Sequence, residues 1–181
     1  LIQQEFKKIQ GVTDVSSGLM TPAFSSHVGG GIKIPKTGKT IDLALVGAMD
    51  YNFIDLLNLQ LVDGRNISPN YASDTISNVL INETLAKQLE LKNPIGEEIE
   101  YHVADQKFKI IGIVKDYYVQ NFTAEISPVV YLHWQTVPWR SLSISPTDVC
   151  QPVLPKDSQN RRPLVVYSAM GSAVFPEPYP K

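Results

Sequence analysis

The chain has 181 residues, 43% of them hydrophobic, enough to bury the core of one domain or two small subdomains. Its formal net charge of −2 removes any electrostatic reason to expect nucleic acid or an anionic membrane surface as a partner. The single cysteine, Cys150, excludes an internal disulfide framework and a cysteine-rich zinc site, and reads as a small buried or incidental residue.

The opening stretch LIQQEFKKIQ has no initiator Met, no basic leader and no cleavage site, and reads as part of a longer protein. Within it Ile2, Phe6 and Ile9 recur at helical spacing, and Gly11 is a natural stop. Residues 12–18 suit a short strand. Residues 19–39 are rich in Ser, Gly, Pro and Thr and read as a long loop or loose hairpin. Residues 41–49 resume β character, with Ile41, Leu43 and Leu45 alternating along one expected face. This is the best apolar run, and it is far short of the roughly 20 residues that cross a bilayer.

Asp50 is placed to cap a short helix carrying Phe53, Ile54 and Leu57. Leu59, Leu61 and Val62 then take extended spacing, and Asp63-Gly64 signals a turn. A buried strand at 79–81 leads to Asn82, expected to cap a helix with Leu85 and Leu89 on one face. Asn93-Pro94 is the expected end of that helix. Strands at 97–101 and 107–118 form a hairpin, and residues 128–132 make another strand. From residue 135 onward the composition changes: most of the 13 prolines fall there, and only residues 163–170 suggest a strand. Most of this tail is expected to be poorly ordered.

Chemistry-bearing residues are scattered. Gly38-Lys39-Thr40 resembles the end of a phosphate loop, but Lys33 occupies the position of the required first glycine, and a strand follows where a helix is needed. His27, His102 and His133 lie in separate segments without metal-ligand spacing, and read as surface or half-buried side chains. Asp116, beside Tyr117 and Tyr118, ends a strand but has no Ser–His or Cys–His partner nearby in the chain. Glu97, Glu98 and Glu100 form an acidic cluster; alternation puts Glu98 and Glu100 on one face, most simply a solvated one that discourages edge pairing. Asn66, Asn82 and Asn121 begin N-x-S/T triplets short enough to arise by chance.

Read in order, AMDYNFIDLLNLQLVDGRNIS, VLINETLAKQL, NPIGEEI, FKIIGIVKDYY and ISPVVYLH resemble the extracytoplasmic core domain of MacB-type ABC transporter permeases. The resemblance falls on residues 50–65, 79–86, 94–96, 112–116 and 128–132, and covers most of residues 1–133. It implies an α+β fold of mixed strands with short inserted helices, in two lobes: a porter-like α/β part beginning at 1–20 and a strand-rich lobe over 21–134. Residues 135–181 stand apart as a proline-rich tail. They lack the return strand–helix–strand of the family, as if the chain diverged or lost its reading frame near His133, which would leave the porter-like part short of sheet and destabilised.

The resemblance further implies a domain with no catalytic, cofactor or metal residue, anchored on the extracytoplasmic face of the inner membrane by helices of the parent permease. Its implied partners are a cognate ABC ATPase, a second permease in a homo- or heterodimer, and a periplasmic adaptor or substrate protein. Asp50, Gly64, Arg65, Asn82, Pro94, Gly96, Gly112, Asp116 and Pro128 are then architectural. The competing readings are a soluble periplasmic hydrolase using Asp116 or the Glu98/Glu100 pair, and a binding module unrelated to ABC transport.

Overall fold

The computed structural model describes residues 2–8, 12, 14–18, 20–21, 24–25, 29–101, 106–118, 125–136 and 165–167. Helix α1 (Ile2–Lys7) leads to strand β1 (Val15–Ser17), and an ion pair of 2.8 Å between Lys7 and Asp14 fastens the two. Two-residue strands β2 (Met20–Thr21) and β3 (Phe24–Ser25) pair with each other. Strand β4 (Gly29–Lys33) then turns back through residues 35–37 into β5 (Thr40–Met49). Of the two expectations for 19–39, a long loop or a loose hairpin, the second fits: the segment holds β2 paired with β3, and β4 folded back onto β5. Gly29 lies so close to the Ala44 carbonyl that a Cβ there would sit 2.7 Å from it, so this glycine serves strand packing.

Helix α2 (Phe53–Leu56) buries Phe53 and Ile54. Its capping position is Asn52, whose own side chain makes no capping bond; Asp50, two residues earlier, accepts from the Asn52 amide instead. Strand β6 (Leu61–Gly64) follows, then a 3-10 turn (Ala72–Thr75), then β7 (Asn78–Asn82), buried throughout. Helix α3 (Glu83–Leu89) starts at Asn82 and stops at Glu90 in the left-handed conformation, earlier than Asn93-Pro94. Strands β8 (Glu98–Tyr101) and β9 (Gln106–Val114) are antiparallel, and β9 ends four residues before Tyr118. Strand β10 (Val129–His133) and the tail strand β11 (Val165–Tyr167) complete the set. His27, His102, Asn121 and Cys150 lie outside the described residues, as does most of the tail expected to be poorly ordered.

The sheet closes on itself. Its order β6-β9-β7-β10-β5-β4-β8 carries an additional pairing of β8 with β9, so six strands form a ring and β6 hangs outside it. β9 makes this possible by its length: Gln106–Lys109 pair with β8, and Gly112–Val114 pair with β6. The interior is filled by alternate residues of every ring strand, including Ile32, Ala44, Val46, Ala48, Val79, Ile81, Ile99, Phe108, Ile110, Val130 and Leu132, joined by Leu85 and Leu89 of α3. The expected apolar face of β5 is divided: Leu43 is 57% exposed and Leu45 packs outside the ring, Ile41 packs against the interior, and the smaller Ala44, Val46 and Ala48 fill the interior, where six strands leave little room.

A second cluster lies outside the ring. Met49, Phe53, Ile54, Ile67, Leu80, Ile111, Val114, Val129 and Tyr131 are buried there under α2 and the following loop. β1 and β11 form a separate two-stranded parallel sheet. The architecture is α+β, mixed strands with short inserted helices.

Candidate functional site

Three networks of polar side chains fix the outside of the barrel. The first joins β1 to the end of β5 and β10. The Asp50 carboxylate accepts from the Ser16 hydroxyl, from the Ser17 amide at 2.8 Å and from the Ser17 hydroxyl at 3.2 Å. It also accepts from the Asn52 amide at 3.1 Å, and the Asp50 amide donates to the Ser17 carbonyl at 3.0 Å. From the other side, the Trp134 indole N–H is directed at the Ser17 hydroxyl, 2.8 Å away, and at the Ser17 carbonyl, 3.2 Å away. Gly18 bridges to Met49, and Phe53 packs so tightly on it that a Cβ would lie 2.0 Å from the ring. The chain therefore enters and leaves the barrel side by side, clasped at Ser17.

The second network surrounds Asp74, which is fully buried. Arg65 grips it bidentately, Nη1 to Oδ2 at 2.6 Å and Nη2 to Oδ1 at 2.9 Å, while Nη1 also donates to the Asn66 carbonyl at 3.0 Å. Asn78 Nδ2 at 2.7 Å and the Ser68 amide at 2.8 Å complete the shell. Burial opposes the charge, but these donors together hold the Asp74 carboxyl below its ordinary value. The guanidinium stacks on Tyr71, 4.1 Å from the ring centre.

The third network secures the start of α3. Asn82 Oδ1 accepts from the Leu85 amide at 3.0 Å and from the Val129 amide at 2.9 Å, while Nδ2 donates to the Ser127 carbonyl at 2.9 Å. Asp116 accepts from the Thr84 amide at 3.0 Å and the Thr84 hydroxyl at 2.8 Å. The Asp116 amide in turn donates to Glu83 at 3.0 Å. A carboxylate at a helix N-terminus meets unpaired N–H groups there, so Asp116 acts as a second cap. Beyond it, the buried phenols of Tyr117 and Tyr131 share a hydrogen bond, and burial pushes both above the ordinary range.

The remaining candidates fall elsewhere. Glu98 and Glu100 stand opposite Lys109 and Lys107 across the β8–β9 ladder, and Glu97 pairs with Lys36 at 2.6 Å, so the acidic cluster is matched by lysines. His133 is buried and stacks on Tyr51, ring centres 4.5 Å apart. Pro94 and Gly96 form the turn into β8, where the Gly96 amide donates to the Ile110 carbonyl at 2.8 Å. The Pro128 carbonyl accepts from the Leu45 amide at 2.8 Å, just before β10. Asn66 sits beside Arg65 with Oδ1 accepting from the Ile67 amide at 2.8 Å. Among the described residues no three His, Cys, Asp or Glu side chains stand close enough to hold a metal ion. The networks bring Asp50, Arg65 and the pair Asn82 and Asp116 to three separate places around the barrel, not to one centre. Sequence reasoning missed Ser17, Asp74, Thr84 and Trp134, whose partners are distant in the chain or lie in polar stretches with no motif.

Comparison with known families settles what the barrel is. The profile of the MacB-like periplasmic core domain matches residues 1–158. The chain belongs to that family. Among solved structures, the periplasmic region of MacB from Actinobacillus actinomycetemcomitans matches with a TM-score of 0.53 and 16% identity, over 74% of this chain and 54% of that one. A domain of a permease protein from Porphyromonas gingivalis matches with a TM-score of 0.54 and 18% identity, over 80% and 61%. This chain thus spans little more than half the length of the domains it matches. No curated protein matches it in sequence. As a MacB-like periplasmic core domain it is the extracytoplasmic part of an ABC-type permease family, and none of its described helices is long and apolar enough to cross a membrane.

Proposed function

We propose that this domain is a non-catalytic coupling module. It is held on the extracytoplasmic face of the membrane by helices of its parent permease. There it passes movement driven by a partner ABC ATPase to the export or release of a substrate and to contact with a periplasmic partner. The observation that carries this reading is the clasp at Ser17. A closed barrel whose entering and leaving segments are tied by Asp50 and Trp134 at one point turns with whatever moves those segments. Asp50, Gly64, Arg65, Asn82, Pro94, Gly96, Gly112, Asp116 and Pro128 are, on this reading, parts of the frame. The carboxylates a hydrolase would need are committed elsewhere: Asp116 to the α3 N-terminus, and Glu98 and Glu100 to positions facing lysines.

The test uses the complete permease with its ATPase in lipid vesicles. Asp50→Ala and Trp134→Phe are expected to lower transport severalfold while ATP hydrolysis persists. Turnover of a small molecule by the domain alone, abolished by Asp116→Asn, would overturn the proposal, and so would full transport after the barrel is deleted.

A further inference from the structure

His133 ends β10 directly beside the clasp, where its hydrogen bonding and burial favour the neutral imidazole. The Gln135 amide points its N–H at Nδ1 from 3.3 Å, so Nδ1 acts as an acceptor there. The ring is stacked on Tyr51 and 7% exposed, leaving little water to solvate a charge. The turn that His133 anchors, through its carbonyl to the Thr136 amide at 2.9 Å, carries Trp134 at its first position. We propose that His133 is an acid-sensitive pin: a proton taken from solvent onto Nδ1 displaces the Gln135 N–H, opens the 134–136 turn and releases the Trp134 indole from Ser17.

The charged neighbours bear on the direction. Asp50, beyond β5, and Asp74, in the 3-10 turn, both favour the imidazolium, but burial outweighs them and holds His133 below its ordinary value. Arg65 is already paired with Asp74 and offsets part of its pull. On the other packed elements, β7 has no charged side chain, and Asp42 lies near the opposite end of β5. Glu83 of α3 is bound to the Asp116 amide, and Lys87 is exposed. An unfolded chain binds this proton near pH ~6.5, and the folded one only at lower pH. Stability therefore rises with pH through that interval, and the pin is closed at neutral pH.

The inference concerns the clasp invoked in the proposed function but depends on its geometry alone, so it can fail while the transport reading stands. The experiment follows the 181-residue chain by nuclear magnetic resonance from about pH 8 to about pH 4.5, a span that brackets histidine titration. Trp139→Phe leaves Trp134 as the single indole. The indole N–H resonance is expected to move toward its free position with the same midpoint as the His133 imidazole carbon resonances. His133→Phe, which keeps the stacking on Tyr51, is expected to abolish that movement, and His133→Gln serves if the phenylalanine variant does not fold. An indole resonance constant across the range overturns the proposal. So does a change with a midpoint apart from that of His133, or one that survives unaltered in the folded variant.

Discussion

Gly64 and Gly112 face each other across β6 and β9 so closely that neither has room for a Cβ. An added carbon at Gly64 would lie 2.3 Å from the Ile111 carbonyl oxygen, and one at Gly112 would lie 2.4 Å from the Arg65 carbonyl oxygen. Gly64 also has φ +74, where an L side chain is strained. In both cases the nearest atom is backbone, and a Cβ has no rotamer by which to avoid it. Gly64→Ala and Gly112→Ala should each destabilise the domain by about 2–4 kcal/mol, combining overpacking with, at Gly64, left-handed strain. The check is the urea midpoint of each variant at unchanged slope.

The Arg65–Asp74 pair should be costly to split. Arg65→Ala leaves a buried carboxylate with only neutral donors, and a loss of about 3 kcal/mol is expected, below the upper range for buried pairs because the guanidinium is partly exposed. The pH dependence follows from the depressed Asp74 value. Its contribution is complete above the unfolded carboxylate pKa and fades as pH falls through the lower folded one. Asp74→Asn should therefore flatten the stability profile below about pH 4 while lowering the plateau above it, as read by thermal unfolding across pH.

Asn82 does three jobs with one amide, capping α3, holding the Val129 amide and binding the Ser127 carbonyl. Asn82→Ala should cost about 2–3 kcal/mol, more than an isolated cap, since two further buried groups lose their partner. Thr84→Val, which removes only the hydroxyl bond to Asp116, should cost about 1 kcal/mol. Chemical denaturation separates the two, and equal losses would count against the shared role of Asn82.

Asp50 and Trp134 meet on the same serine, so their effects should not add. Each single change, Asp50→Ala or Trp134→Phe, is expected to destabilise by about 1–2 kcal/mol, and the double variant by less than the sum. A double-mutant cycle on the isolated chain measures this. Additivity within about 0.3 kcal/mol would show that the two bonds act independently.

What was legible in the sequence was mostly local. The strand-to-helix step at Asn82 could be read directly, because an apolar run, a capping residue and a helical pair of leucines lie within a dozen positions. The family pattern was carried by the same kind of short signal. The closed ring was not legible: its seam pairs Ile32 with Tyr101, and nothing near either residue announces the other. The alternation of Ile41, Leu43 and Leu45 did not reveal that Ala44, Val46 and Ala48 fill the interior, because a narrow barrel selects for small volume as well as hydrophobicity. Asp74 was missed since a carboxylate in a polar stretch gives no sign that it will be buried beneath a partly exposed arginine. Trp134 was missed because its partner, Ser17, lies at the far end of the chain.

The ring also has a mechanical corollary. β5 and β10 run parallel and finish together, with Met49 beside His133. Ser17 and Trp134 both attach at that shared end, so a load that moves them together is passed into both strands in the same direction, and a circle of strands has no free edge in that ladder. A common pull of that kind does not shear β5 against β10, so the closed barrel moves as one body with the segments that enter and leave it.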